Sequence, residues 1–142
     1  MPRRSYVLTV RAAADLRNAR AWSRARWGKA LTDRYFDDLH EGAQYIAENH
    51  ASLSERLELA GGTALCLYPV REHYIVYEPL GPRLIAIVAV IRQGRDIPAI
   101  LQKWAGPIRR ELGEICARVQ RGEIRLRARK AATSRRNKVS RG

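Results

Sequence analysis

The sequence is poor in several things. It has two cysteines, one methionine and one phenylalanine in 142 residues. The cysteines, Cys66 and Cys116, form no CxxC pair and have no histidine at ligand spacing, so they read as ordinary buried thiols of a reducing compartment, with a disulfide between them as the alternative. No stretch of about 18 apolar residues occurs, which excludes a membrane-spanning helix. The basic start Met1-Pro2-Arg3-Arg4 leads into an alternating strand pattern and then a charged helix, unlike the apolar core of a signal peptide, so the expected location is cytoplasmic. His40, His50 and His73 are widely separated, and Gly61-Gly62 lacks the lysine and hydroxyl of a phosphate loop, so neither a metal nor a nucleotide cofactor is expected. Lysine is scarce too: Lys29 is the only one in residues 1–102.

Acidic residues are outnumbered 27 to 14, for a net charge of +13. The excess is uneven. Residues 103–142 carry 13 basic and 3 acidic side chains, net +10, whereas residues 1–102 hold the other 14 and 11, net +3. A nearly balanced body thus carries a cationic extension able to attract nucleic acid, the ribosome or an acidic protein. The hydrophobic fraction of 46% suffices for one ordinary core.

Along the chain, Ser5–Thr9 is a short β-prone run, and Thr9 is placed to cap a following helix. A helix is predicted over about Val10–Arg26, with Leu16, Ala19, Trp22 and Arg26 or Trp27 recurring at three or four residues. At least one of Trp22 and Trp27 is expected in the core. Gly28 ends this helix, and a second is predicted over about Lys29–Glu48 with the stripe Leu31, Tyr35, Leu39, Ala43 and Ile46. So short a link makes the pair an antiparallel hairpin. Residues 51–63 read as a loop with a helical turn near Ser52–Leu59. Strand-like runs follow at Ala64–Tyr68, His73–Glu78 and Arg83–Ile91, with links too short for crossover helices, hence antiparallel. The third run is apolar at both parities, as in a central strand buried on both faces. A short closing helical segment over Ile97–Trp104 and a helix over about Pro107–Arg121 complete the order, the latter with Ile108, Leu112, Ile115, Cys116 and Val119 on one side. Disorder is expected from about Ala131. The fold class is α+β: an N-terminal strand and an antiparallel helical hairpin packed on a small, mainly antiparallel sheet, with a basic C-terminal extension.

Three stretches, in this order, carry a family resemblance. In Ala25-Arg26-Trp27-Gly28-Lys29-Ala30-Leu31-Thr32-Asp33-Arg34-Tyr35-Phe36-Asp37-Asp38-Leu39, the positions Trp27, Gly28, Tyr35 and Leu39 match an interhelix segment. Pro69-Val70-Arg71-Glu72-His73-Tyr74-Ile75-Val76-Tyr77 matches a PVxxHxxxY hairpin, and Arg92 to Leu101 a closing segment. Together they resemble the ParE toxins of the ParE/RelE superfamily of type II toxin–antitoxin systems. The chain departs from that pattern at Cys66, where an arginine is common, and at Arg92, where a histidine often stands.

The resemblance implies a toxin domain over 1–102 followed by a basic extension over 103–142, a cognate small antitoxin as partner, DNA gyrase as target, and no cofactor. A gyrase-binding toxin turns over no substrate, and no catalytic residue is assigned. Candidate contacts to target or antitoxin are Arg71, His73, Arg92, Arg95 and Trp104. His73 and Tyr77 are also weighed as sheet-packing residues, His73 as a general acid or base, and Trp104 as a dock for the extension. Two alternatives stand beside this reading: a RelE-like ribosome-dependent mRNA endoribonuclease, which the charge favours and the scarcity of lysine disfavours, and a non-toxic basic binding module.

Overall fold

The computed structural model describes residues 5–53 and 57–123. The expectations for residues 124–142, including the tail from Ala131, lie outside the described residues. The chain opens with strand β1 (Tyr6–Leu8), followed by the helical segment α1 (Val10–Asn49). Thr9 caps α1 as expected, its Oγ1 accepting from the Ala12 N–H at 3.1 Å. At Gly28 the backbone leaves helical geometry at φ 83°, ψ 176°, a conformation that costs any residue with a Cβ, and this divides α1 into two arms, 10–27 and 29–49. The arms fold back on each other. Arg20 of the first pairs with Asp33 of the second at 3.0 Å, and its guanidinium lies 4.4 Å from the Phe36 ring centroid. The predicted hairpin is therefore present.

A 3-10 turn at His50–Ser52 and a short helix α2 (Leu57–Ala60) lead to strands β2 (Cys66–Val70), β3 (His73–Gly81) and β4 (Leu84–Arg92). These pair antiparallel through two-residue turns at Arg71-Glu72 and Pro82-Arg83, so Pro69, Val70 and Pro79 belong to strands rather than to links. β1 adds parallel to β4, giving the order β1-β4-β3-β2 with β4 inside. Residues Leu84 to Ile91 are all buried. Helices α3 (Ile97–Lys103) and α4 (Ala105–Gln120) close the chain.

Each layer covers one face of the sheet. On the hairpin side Ala12, Ala43, Ile46 and Ala47 pack against Cys66, Ile75, Tyr77, Ile85, Ile87 and Val90. On the opposite side Leu101, Ile108 and Leu112 pack against Leu67, Val76, Ala86, Val88 and Ile91, and Ile115 reaches Val7 and Leu84. The sheet separates the two cysteines, since Cys66 faces the hairpin and Cys116 lies on α4, and they form no disulfide with each other.

Two expected stripes are corrected. In the second arm Tyr35, Leu39, Ala43 and Ile46 are buried, but Leu31 is exposed and Thr32, three residues before Tyr35 instead of four, takes the inward position. In the first arm Ala12 and Ser23 are buried, and both Trp22 and Trp27 lie at the surface. The inward positions near the hairpin tip are taken by Ser23, Thr32 and Tyr35 instead.

β1 is only three residues long and pairs with Ile85–Ile87, so on that edge the second half of β4 has no strand neighbour among the described residues. The start of α1 satisfies that edge instead: Thr9 N–H donates to Ile87 C=O at 3.0 Å, Thr9 Oγ1–H to Val88 C=O at 3.0 Å, and Val90 N–H to Asp15 Oδ2 at 3.0 Å. The pairing of β3 with β4 skips Val88, since Val76 faces Ala89 and Tyr77 faces Ile87. This one-residue bulge reverses the alternation of β4. Ile85 and Ile87 point to the hairpin before it, and Val90 after it.

Candidate functional site

The β2–β3 turn and the end of β4 lie beneath the hairpin tip. Arg71 occupies the turn with a left-handed φ of 56°, a strained conformation for a residue with a side chain. Its side chain pairs with Asp38 of the second arm and covers the Tyr35 ring at 4.9 Å, and its carbonyl accepts from Gln93 Nε2 at 3.0 Å. The local strain is thus held by contacts on three sides.

Tyr35 ties helix to turn. Its Oη accepts from the Glu72 N–H at 3.2 Å and lies 2.5 Å from His73 Nδ1. The phenol oxygen keeps a second lone pair, so this contact forms either with the hydroxyl donating to Nδ1 or with Nδ1–H donating to Oη. Burial, and then the nearby Arg92 cation, hold His73 below its usual pKa, so the ring is neutral at pH 7. Burial raises the Tyr35 pKa, which keeps its proton in place.

His73 and Arg92 are partners in the β3–β4 register. Because the bulge has reversed the parity of β4, Arg92 turns toward the hairpin, where its guanidinium lies 5.0 Å from the Trp22 ring centroid. Arg26 approaches the same ring at 4.7 Å, and Trp22 meets Trp27 edge-on at 5.4 Å. Trp27 in turn lies 6.4 Å from Tyr35. Arg71, His73 and Arg92 are therefore gathered in one cluster of cations and aromatic rings.

Arg95 and Trp104 belong to an adjoining set. The Arg95 N–H donates to Arg92 C=O at 3.3 Å, and the Arg95 charge acts on Asp15. Asp15 also faces Arg11 at 3.8 Å, and the Arg11 guanidinium lies 5.0 Å from the Trp104 centroid, with Lys103 Nζ at 5.9 Å. Burial raises the pKa of Asp15 in spite of the Val90 N–H and the two arginines. Trp104 sits where α3 gives way to α4 and touches the first arm through Arg11.

The residues that sequence reasoning left out of the site are Trp22, Arg26, Tyr35, Arg11 and Gln93. Trp22 and Tyr35 were read as packing stripes, and no local signal tells a surface tryptophan from a buried one at helical spacing. A separate cleft of about 270 Å³ lies between the two arms and the sheet, floored by Leu39, Ile75 and Ile87 and bordered by Arg20, Phe36 and His40. Among the described residues no cluster of three metal-ligating side chains occurs, and no helix is long and apolar enough to cross a membrane.

Comparison with known proteins is consistent with this architecture. The family model described as ParE toxin of type II toxin-antitoxin system, parDE, matches residues 6–97. Toxin ParE of Escherichia coli is 29% identical over 93 residues, which cover 66% of this chain and 88% of that protein. A solved structure titled chromosomal ParDE TA system from P. aeruginosa superposes with a TM-score of 0.51 at 17% identity, covering 61% of this chain and 92% of the other, and shares the fold. The family match ends where α3 begins, so α4 lies beyond it.

Proposed function

The chain belongs to the ParE toxin family of type II toxin–antitoxin systems, and from that membership we propose that it acts by binding DNA gyrase and is silenced by a cognate antitoxin. The observation that carries the reading is the family match over residues 6–97, which takes in the hairpin, the whole sheet and the strained Arg71 turn.

The geometry supports a binding role for the turn cluster. His73 is neutral, half-buried and committed through Nδ1 to Tyr35, an arrangement that fixes the turn. Arg71, Arg92, Arg95 and Trp104 present charge and flat aromatic surface from rigid elements, as an interface requires. Complementary acidic residues on the antitoxin or on the target would speed association and fix register. The extension over 103–142 adds long-range attraction that salt screens.

The test places two assays side by side. Purified toxin should inhibit gyrase supercoiling and leave ribosome-bound mRNA intact, and co-expression with a cognate antitoxin should yield a stable complex that restores supercoiling. Cleavage of mRNA with supercoiling untouched would replace this reading with the RelE-like one.

A further inference from the structure

None of the three tryptophans of this chain lies in its core. Trp22, Trp27 and Trp104 are 42, 40 and 38% exposed. Their setting is not random. Arg11, Asp15, Trp22 and Arg26 fall within about 60° on one face of the first arm and extend over about 22 Å. The end of β4 and the start of α4 run beside that face. A continuous strip results, in the order Trp27, Trp22, Arg92, Arg95, Arg11, Trp104, each neighbour joined to the next by a ring contact, a backbone hydrogen bond or the charge of Asp15. The carboxylates along it are already engaged, Asp15 by the Val90 N–H and Asp96 by the Ala99 N–H. What the strip offers outward is guanidinium groups lying over partly exposed indole rings.

We propose that this strip is a binding track for single-stranded nucleic acid. Phosphates would follow Arg92, Arg95 and Arg11, and bases would stack on the indoles or on the guanidinium planes that lie over them. A duplex keeps its bases stacked inside, and an acidic peptide brings charge without flat rings, so neither uses both features. The proposal is independent of which protein the toxin acts on.

The experiment is a titration of the full chain against a labelled oligo-dT strand of about 12 nucleotides, read by anisotropy over a range of salt. Trp22→Ala and Trp104→Ala should each weaken binding by about ten-fold and leave the salt dependence unchanged, because only stacking is lost. Arg92→Ala and Arg95→Ala should each lower the log–log salt slope by about 0.7, the single-strand value for one phosphate contact. An abasic strand of equal length should bind the parent more weakly than the intact strand binds either single tryptophan variant, close to the Trp22→Ala/Trp104→Ala double variant. Trp22→Phe, which keeps an aromatic face, should retain most of the affinity, and melting points confirm that each variant is folded. The basic residues at 124–142 contribute equally to all variants, so differences between variants report on the strip. Oligo-U in parallel tests the ribose form, and tight binding of either sugar meets the proposal. Folded Trp22→Ala and Trp104→Ala proteins indistinguishable from the parent would overturn it. So would a duplex or polyglutamate competing as well as the single strand.

Discussion

The two faces of the sheet are covered in different ways. The face under α3 and α4 is filled by Leu, Ile, Val and Ala side chains, with polar contacts such as Arg109–Glu78 at 2.8 Å at its rim. The hairpin face is crossed by polar ties: Tyr6 to His40 at 2.6 Å, Thr9 to Val88, Asp15 to Val90 and Tyr35 to His73. It also holds the cleft. A dry layer gains stability with area and fixes few directions, whereas a layer of directed hydrogen bonds orients particular side chains. The candidate residues Arg71, His73 and Arg92 are found on the side that orients.

The contrast is most strongly tested by truncation in each core. Leu112→Ala, in the dry layer, should cost about 2–5 kcal/mol in denaturant unfolding. Leu39→Ala should fall at the low end of that range, since Leu39 lines the cleft and already lacks packing partners on that side. Equal losses would show that the faces are alike. A single cooperative transition for both would place α4, beyond the family match, in the same folding unit as the hairpin.

Gly42 is the next lever. A Cβ there would stand 2.6 Å from Val70 Cγ2, so the second arm can approach β2 only with glycine at this point. Gly42→Ala should cost about 1–3 kcal/mol through overpacking, and Gly42→Ala combined with Val70→Ala should recover part of that loss.

Asp15 separates hydrogen bonding from charge. Asp15→Ala leaves the Val90 N–H unsatisfied and should cost about 1–3 kcal/mol. Asp15→Asn keeps an acceptor for that N–H and removes a carboxylate whose charged form burial disfavours, so its cost should be under about 1 kcal/mol. A large loss in the asparagine variant would mean that pairing with Arg11 and Arg95 dominates.

The smallest effect is a pH dependence. The folded-state pKa of His73 lies below its ordinary value of 6.5, so the unfolded chain takes up a proton that the folded chain resists. Its contribution is complete above pH 6.5 and is lost as pH falls from there through the folded pKa. Unfolding midpoints measured down this window should decline in the parent, and His73→Asn should flatten that part of the curve. An unchanged curve in the variant would remove His73 as its source.

Much of the architecture was legible because it rests on local rules. The Thr9 cap, the break at Gly28, the antiparallel order of β2, β3 and β4, the central place of β4 and the stripe of α4 follow from capping chemistry, glycine, short links and hydrophobic periodicity. The C-terminal ends of β2 and β3 run two and three residues past the expected ones because Pro69 and Pro79 lie inside these strands instead of ending them. The exposure of Trp22, Trp27 and Leu31 was not legible, since periodicity identifies an apolar face without revealing how far the core beneath it extends.

By itself the sequence determined the layers and the charge division between residues 1–102 and 103–142, and it offered Arg71, His73, Arg92, Arg95 and Trp104 only as candidates. Only the tertiary structure decided which of them meet. Leu84 to Ile91 is apolar at every position, so nothing in it marks Val88 as the extra residue. That bulge turns Arg92 from the dry face to the hairpin face and places its guanidinium over Trp22. The reason is physical: a strand alternates with period two, and one inserted residue reverses the side of everything after it. The reversal depends on how β4 registers with β3 and where the edge carbonyl of Val88 meets Thr9, both of them contacts between residues distant in the chain.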